Sequence, residues 1–204
     1  MDINKIRSDF NEKKIRFHTK IENDMFTEIL ENYSNQKYLS SATVGMVLFE
    51  SILTTQLVRH TSYPTRFIAT KENIYDQFNF ILKREEEVIN GNDPNKQKGL
   101  LFTQITEELV NKKIFSDDEK QQLDVFYKKY RNPVLHGLTH RLYELVYNKK
   151  PATFLDSDLR SKEIYKIISE IVIKQILELY SNKKILKKWN FIIISALKHK
   201  LCYF

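Results

Sequence analysis

"SSATVGMVLFESILTTQLVRH" (residues 40–60) is the most apolar stretch of the chain. Its apolar residues spread over more than one face of a helix. A helix of that kind belongs in a core rather than on a surface. The stretch therefore predicts the central helix of the fold, with Ser40 or Ser41 as its N-cap. Gly45, alone inside it, marks a place where another helix comes close.

Helical patterns extend from it in both directions. Ile6, Phe10, Phe17, Ile21, Met25, Ile29 and Tyr33 recur at spacings near three and four, with one wider gap, which predicts one helix or two. Pro64 breaks the segment after 60, residues 71–89 carry another stripe, and "NGNDPNKQKG" (90–99) is a loop. Residues 100–115 are amphipathic. "SDDE" (116–119) is a capping box, Ser116 as N-cap and Glu119 in third helical position, with Asp117 and Asp118 at the positive helix end. A long helix over 158–182, capped by Asp156 or Ser157, carries its core face on Ile164, Ile167, Ile168, Ile171, Ile176 and Leu179. Its β-branched run "EIVI" leaves a short strand as the alternative there.

Composition agrees with helices. Four Gly and four Pro in 204 residues are too few for the turns of an all-β fold, and predict long helices with few joints. The expected class is all-α: a helical bundle with its core over about 40–182, extra helices at both ends, and a basic, partly apolar C-terminal helix over 183–204. One cysteine, Cys202, excludes an intrachain disulfide, and the five histidines (His18, His60, His136, His140, His199) have no zinc spacing, so no metal or cofactor is expected. No run of 18 apolar residues predicts a membrane span, and the charged N-terminus lacks a signal peptide's apolar region, so the expected location is the cytoplasm.

The net charge of +7 is uneven: residues 183–204 hold six Lys and no acid, and residues 128–150 hold four Lys and two Arg against one Glu. Basic segments of this kind suit a polyanion such as RNA or DNA, or a solvated lysine-rich surface. The tail's lysines beside its apolar block also suit a last core helix, a partner's surface or an anionic membrane surface.

Inside the second basic segment lies "KKYRNPVLHGL" (128–138). Asn132 is a good N-cap and Pro133 a good first-turn residue, so a new helix is expected to start at 133 and run to about 148. Arg131 would then lie just before a helix start and His136 in its first turn. The positive end of a helix favours anions and a neutral imidazole, which is what a general base needs. Arg131 can pair with a phosphate and stabilise charge building on its oxygens, while Asn132 holds an oxygen or orients the pair. That is a minimal set for metal-independent cleavage of RNA through its 2′-hydroxyl.

"RNPVLH" (131–136) resembles the R-[N/D/H]-x(3–4)-H signature of HEPN domains, the all-helical "higher eukaryotes and prokaryotes nucleotide-binding" family. The surrounding helix, acidic cap, helix and His-Gly are similar to that family over 100–148. The resemblance implies a four- to five-helix core and an endoribonuclease acting as a homodimer, with a composite site where two motifs face each other. It implies Arg131, Asn132 and His136 as catalytic residues, and a toxin or antiviral role with an antitoxin or other regulatory partner. Lys129, Tyr130, His140 and Arg141 flank the motif as candidate RNA contacts, His140 one turn after His136 and Glu144 a turn further. Leu138 departs from the toxin subgroup, where a tyrosine often stands two residues after the histidine. Other members of the family have lost cleavage, and a non-catalytic module binding nucleotide, nucleic acid or protein is the second reading.

Overall fold

The computed structural model describes residues 1–62 and 101–181, with side chains given outside 58–62. The segments 63–100 and 182–204 lie outside it, and with them the expected helix over 71–89, the loop over 90–99, the basic tail and Cys202.

Among the described residues every regular element is a helix: α1 (Ile3–Asn11), α2 (Lys20–Ser34), α3 (Tyr38–Ser62), α4 (Phe102–Asn111), α5 (Asp117–Leu135), α6 (Thr139–Tyr147), α7 (Phe154–Leu159) and α8 (Ser161–Ser181). The class is all-α, as the sparse turn residues predicted. α3 is the hub. It packs against α2, α4, α5 and α8, while α6 and α7 lean on α8. Ala42, Met46, Leu48, Phe49, Ile52, Leu53 and Leu57 are buried along α3, which is the wide apolar face read from the sequence.

α8 supplies the opposing wall with Ile164, Ile168, Val172, Ile173 and Ile176, all fully buried. Its "EIVI" run is helical, not extended. β-branching penalises a helix by only about 0.5 kcal/mol per residue. Burying such a side chain returns about 1.5–3 kcal/mol, so packing decides. Gly45 is where α3 and α8 meet most closely: a Cβ built there would lie 2.6 Å from Val172 Cγ1.

α1 and α2 join the same core through Phe10, Phe26, Ile29 and Leu30. Phe17, in the turn between them, lies 4.9 Å from the ring of Phe26 and 5.2 Å from that of Tyr180. Arg16 N–H donates to the Tyr180 hydroxyl at 3.1 Å, tying this turn to α8. Thr19 caps α2 in a box with Glu22. Because the stripe breaks at this turn, Ile21 falls outside it and is 69% exposed.

Two expected caps are wrong. α3 begins at Tyr38, ahead of Ser40 and Ser41. Ser41 lies inside the helix and donates its hydroxyl to the Ile29 carbonyl of α2 at 3.0 Å. Likewise Thr153, not Asp156 or Ser157, caps α7, with Asp156 as the reciprocal partner of its box. α8 starts separately at Ser161.

Three of the joints are made without glycine or proline. α1, α2 and α4 end on left-handed Lys13 (φ 63°), Gln36 (φ 60°) and Lys113 (φ 58°). In each, the amide two residues past the cap bonds back across the last turn: Lys14 to Asp9, Lys37 to Asn32 and Ile114 to Leu109, at 2.8–2.9 Å. This is the helix stop that glycine usually makes, made here by long polar side chains at about 1 kcal/mol of backbone strain each. Among the described residues no helix is long and apolar enough to cross a membrane.

The α3–α8 crossing yields a direct test. Gly45→Ala gains about 1 kcal/mol of helix propensity, but overpacking costs about 1–3 kcal/mol. The variant is expected to unfold at lower urea concentration than wild type. Adding Val172→Ala removes the opposing atoms, so the pair should lose less stability than the two single variants summed.

Candidate functional site

The motif rides on α5. Ser116 Oγ accepts the Glu119 N–H at 3.2 Å and the Glu119 carboxylate accepts the Ser116 N–H at 2.7 Å, with Asp117 and Asp118 also in the first turn. The capping box is therefore as read. Leu123, Phe126, Pro133 and Val134 bury the inner face of the helix.

No new helix starts at Pro133. α5 runs through it to Leu135. The proline removes one backbone donor, so the bond lost is the one to the carbonyl of Lys129, an exposed residue whose carbonyl can turn to water. Pro133 and Val134 are buried, and their packing holds Asn132 helical against the usual preference before proline. The helix stops at His136, with Gly137 left-handed at φ 62°. Leu138 N–H bonds to the Pro133 carbonyl at 2.8 Å and Gly137 N–H to the Val134 carbonyl at 3.3 Å. His136 thus stands at the carbonyl end of a helix. The amide-end electrostatics expected for it do not apply.

The residues of the motif separate accordingly. Asn132 and His136, four apart, share an exposed face of α5, and Lys129 lies on the same face. Arg131 and His136, five apart, point about 140° away from each other around the axis. Arg131 turns toward α3, where its Nε donates to Glu50 Oε1 at 3.1 Å. Its Nη1 donates to Asn132 Oδ1 at 3.2 Å, and its guanidinium carbon lies 5.4 Å from the centre of the Tyr127 ring. The Tyr127 ring in turn stacks on Phe102 at 3.7 Å and 10°. Burial, then the negative charge of Glu50, push the Tyr127 phenol above its ordinary value, with Arg131 partly opposing.

The flanking candidates divide. Lys129 and Arg141 are exposed, as RNA contacts need to be. Tyr130 is half-buried with its ring 5.1 Å from that of Phe126, and burial raises its phenol, so it serves the core. His140 is not one turn after His136 on a continuing helix, because Gly137 and Leu138 separate α5 from α6. It meets Phe154 edge-on at 5.2 Å and 82°. Glu144, on α6 as well, shares no helix with His136. "VRHTSYPTR" (58–66) also puts Arg59, His60 and Arg66 near a helix end, as a groove lining or a capped terminus, but the side chains of Arg59 and His60, and all of Arg66, fall outside the described residues.

Glu50, Tyr127 and Phe102 were not foreseen. One signal was present: Glu50 is the only acid in the apolar stretch 40–60. Its partner stands 81 residues away in the sequence, a pairing that local pattern does not carry. Among the described residues no three His, Cys, Asp or Glu side chains cluster as a metal site. No protein-family model, curated protein or solved structure matches the chain.

The helix stop at Gly137 can be tested alone. A Cβ there meets nothing within 4 Å, so only backbone strain opposes a side chain. Gly137→Ala is expected to lower stability by about 1–2 kcal/mol, read from its urea midpoint, and Gly137→Asn by less, since asparagine tolerates this conformation.

Proposed function

We propose that this chain is a metal-independent endoribonuclease of HEPN type, acting as a homodimer in a toxin or antiviral role. The observation that carries the reading is the motif's presentation. Asn132 and His136 are exposed at the end of α5, with the Arg131 guanidinium tied to Asn132 beside them. Lys128 and Lys129 on α5, and Arg141, Lys149 and Lys150 in and after α6, are exposed and bring positive charge to this part of the chain, as an RNA backbone requires.

In the proposed reaction the RNA 2′-oxygen bonds to the adjacent phosphorus while His136 takes the 2′-hydroxyl proton. Arg131 stabilises the negative charge on the non-bridging oxygens. The bond to the 5′-oxygen breaks, that oxygen takes a proton from a second histidine, and a 2′,3′-cyclic phosphate remains. Within one chain Arg131 and His136 diverge. Two chains with facing motifs would let Arg131 of one meet His136 of the other, which favours a composite site. Phe154 (73% exposed), Leu155 (64%) and Leu159 (76%), beside His140, offer apolar surface for that second copy.

The same divergence, with Arg131 held by Glu50, favours a second reading: a helical module that binds nucleic acid or nucleotide without turnover. Incubation of RNA in EDTA separates the two. The ribonuclease reading expects cyclic-phosphate ends from wild type and a rate lower by about 100-fold or more for His136→Ala. Equal cleavage by both proteins, or none by wild type, sinks it. Binding without cleavage, weakened by Arg131→Ala and untouched by His136→Ala, establishes the binding module.

A further inference from the structure

The guanidinium of Arg131 is held through two of its three nitrogens. Its N–H donors lie on Nε, Nη1 and Nη2. Nε gives its proton to Glu50, Nη1 gives one to Asn132, and Nη2 makes no hydrogen bond with a described residue. A carboxylate bound in the usual forked manner would occupy two parallel donors and leave less of the arginine for a phosphate. Here Glu50 takes Nε alone. The face of the guanidinium is set by Tyr127, itself stacked on Phe102. Edge and face are therefore both fixed by residues outside the six-residue motif, and the Nη side is left toward exposed Asn132.

We propose that Glu50 is a positioning residue: it holds Arg131 by Nε against the Tyr127 ring so that the Nη edge is presented to a phosphate group. The assignment rests on the reading of Arg131 as the phosphate-binding residue. A free arginine side chain explores many rotamers, and fixing it before the ligand arrives removes that ordering cost from binding. The pair is about one-third exposed, 32% for Arg131 and 31% for Glu50, so as a salt bridge it adds little to folding. A role in positioning accounts for an acid in the hub helix better than a role in stability.

The sign of one measurement decides the matter. Glu50 is negative and lies beside the proposed phosphate site, so if it merely competed for Arg131, removing its charge would tighten phosphate binding. If it positions Arg131, Glu50→Ala weakens binding, while Glu50→Gln, whose side-chain carbonyl still accepts from Nε, stays close to wild type. The experiment follows the ¹⁵N signal of the Arg131 Nε–H in the full chain during titration with inorganic phosphate. Wild type is expected to show an ordered Nε–H, unlike exposed Arg141, and a saturable shift. Glu50→Ala should lose the order and bind phosphate about fivefold or more weakly, and Glu50→Gln should stay within about twofold of wild type. Unchanged or tighter binding in Glu50→Ala overturns the assignment. So does a wild-type Arg131 as mobile as Arg141, or one that phosphate does not shift. RNA cleavage in EDTA, run on the same samples, judges the ribonuclease reading separately: no cleavage beside the expected phosphate results would sink the ribonuclease and leave Glu50 in its role.

Discussion

The rest of the structure depends on the close crossing of α3 and α8 at Gly45. With no side chain there, Val172 lies against the backbone of α3, and a single added carbon would stand 2.6 Å from it. That contact fixes the rotation of α3 about its own axis. Glu50, five residues on, is turned about 140° from Gly45, so the face of α3 opposite α8 brings its one acid toward α5. The hub helix thus sets the core on one side and the environment of Arg131 on the other.

α5 shows how packing overrules a local signal. Asn-Pro after a helical run is ordinarily a boundary, because proline disfavours a helical residue before it and lacks an amide donor. Here the helix runs on to Leu135 and stops at the left-handed glycine after His136. Pro133 and Val134 are buried, and ending the helix at 132 would pull them out of the core. The chemical consequence is that His136 faces the carbonyl end of a helix, with Asn132 and Lys129 as its surface neighbours. Arg131, on the inner edge, answers to α3.

Much of the fold was legible. The wide apolar face of α3, the purpose of Gly45, the Ser116–Glu119 box and the all-α class all follow from side-chain type and spacing. Three joints were legible only as breaks in the apolar pattern, because Lys13, Gln36 and Lys113 adopt a glycine-like conformation without glycine's signature. At the site, the exposed residues Asn132, His136, Lys129 and Arg141 were legible, because they belong to one short stretch. Glu50, Tyr127 and Phe102 were not, because they reach the site from other turns and other helices.

By itself the sequence determined which residues are apolar at helical spacing, and therefore that the chain folds as packed helices with residues 40–60 at the centre. It also determined that an arginine, an asparagine and a histidine lie within six residues. Tertiary structure alone decided where α5 ends, and so which way those three side chains point. It also decided that the arginine meets a carboxylate 81 residues away. The reason is physical: periodicity reports on burial along one helix, whereas the direction of a side chain near a helix end depends on which neighbours are packed against it.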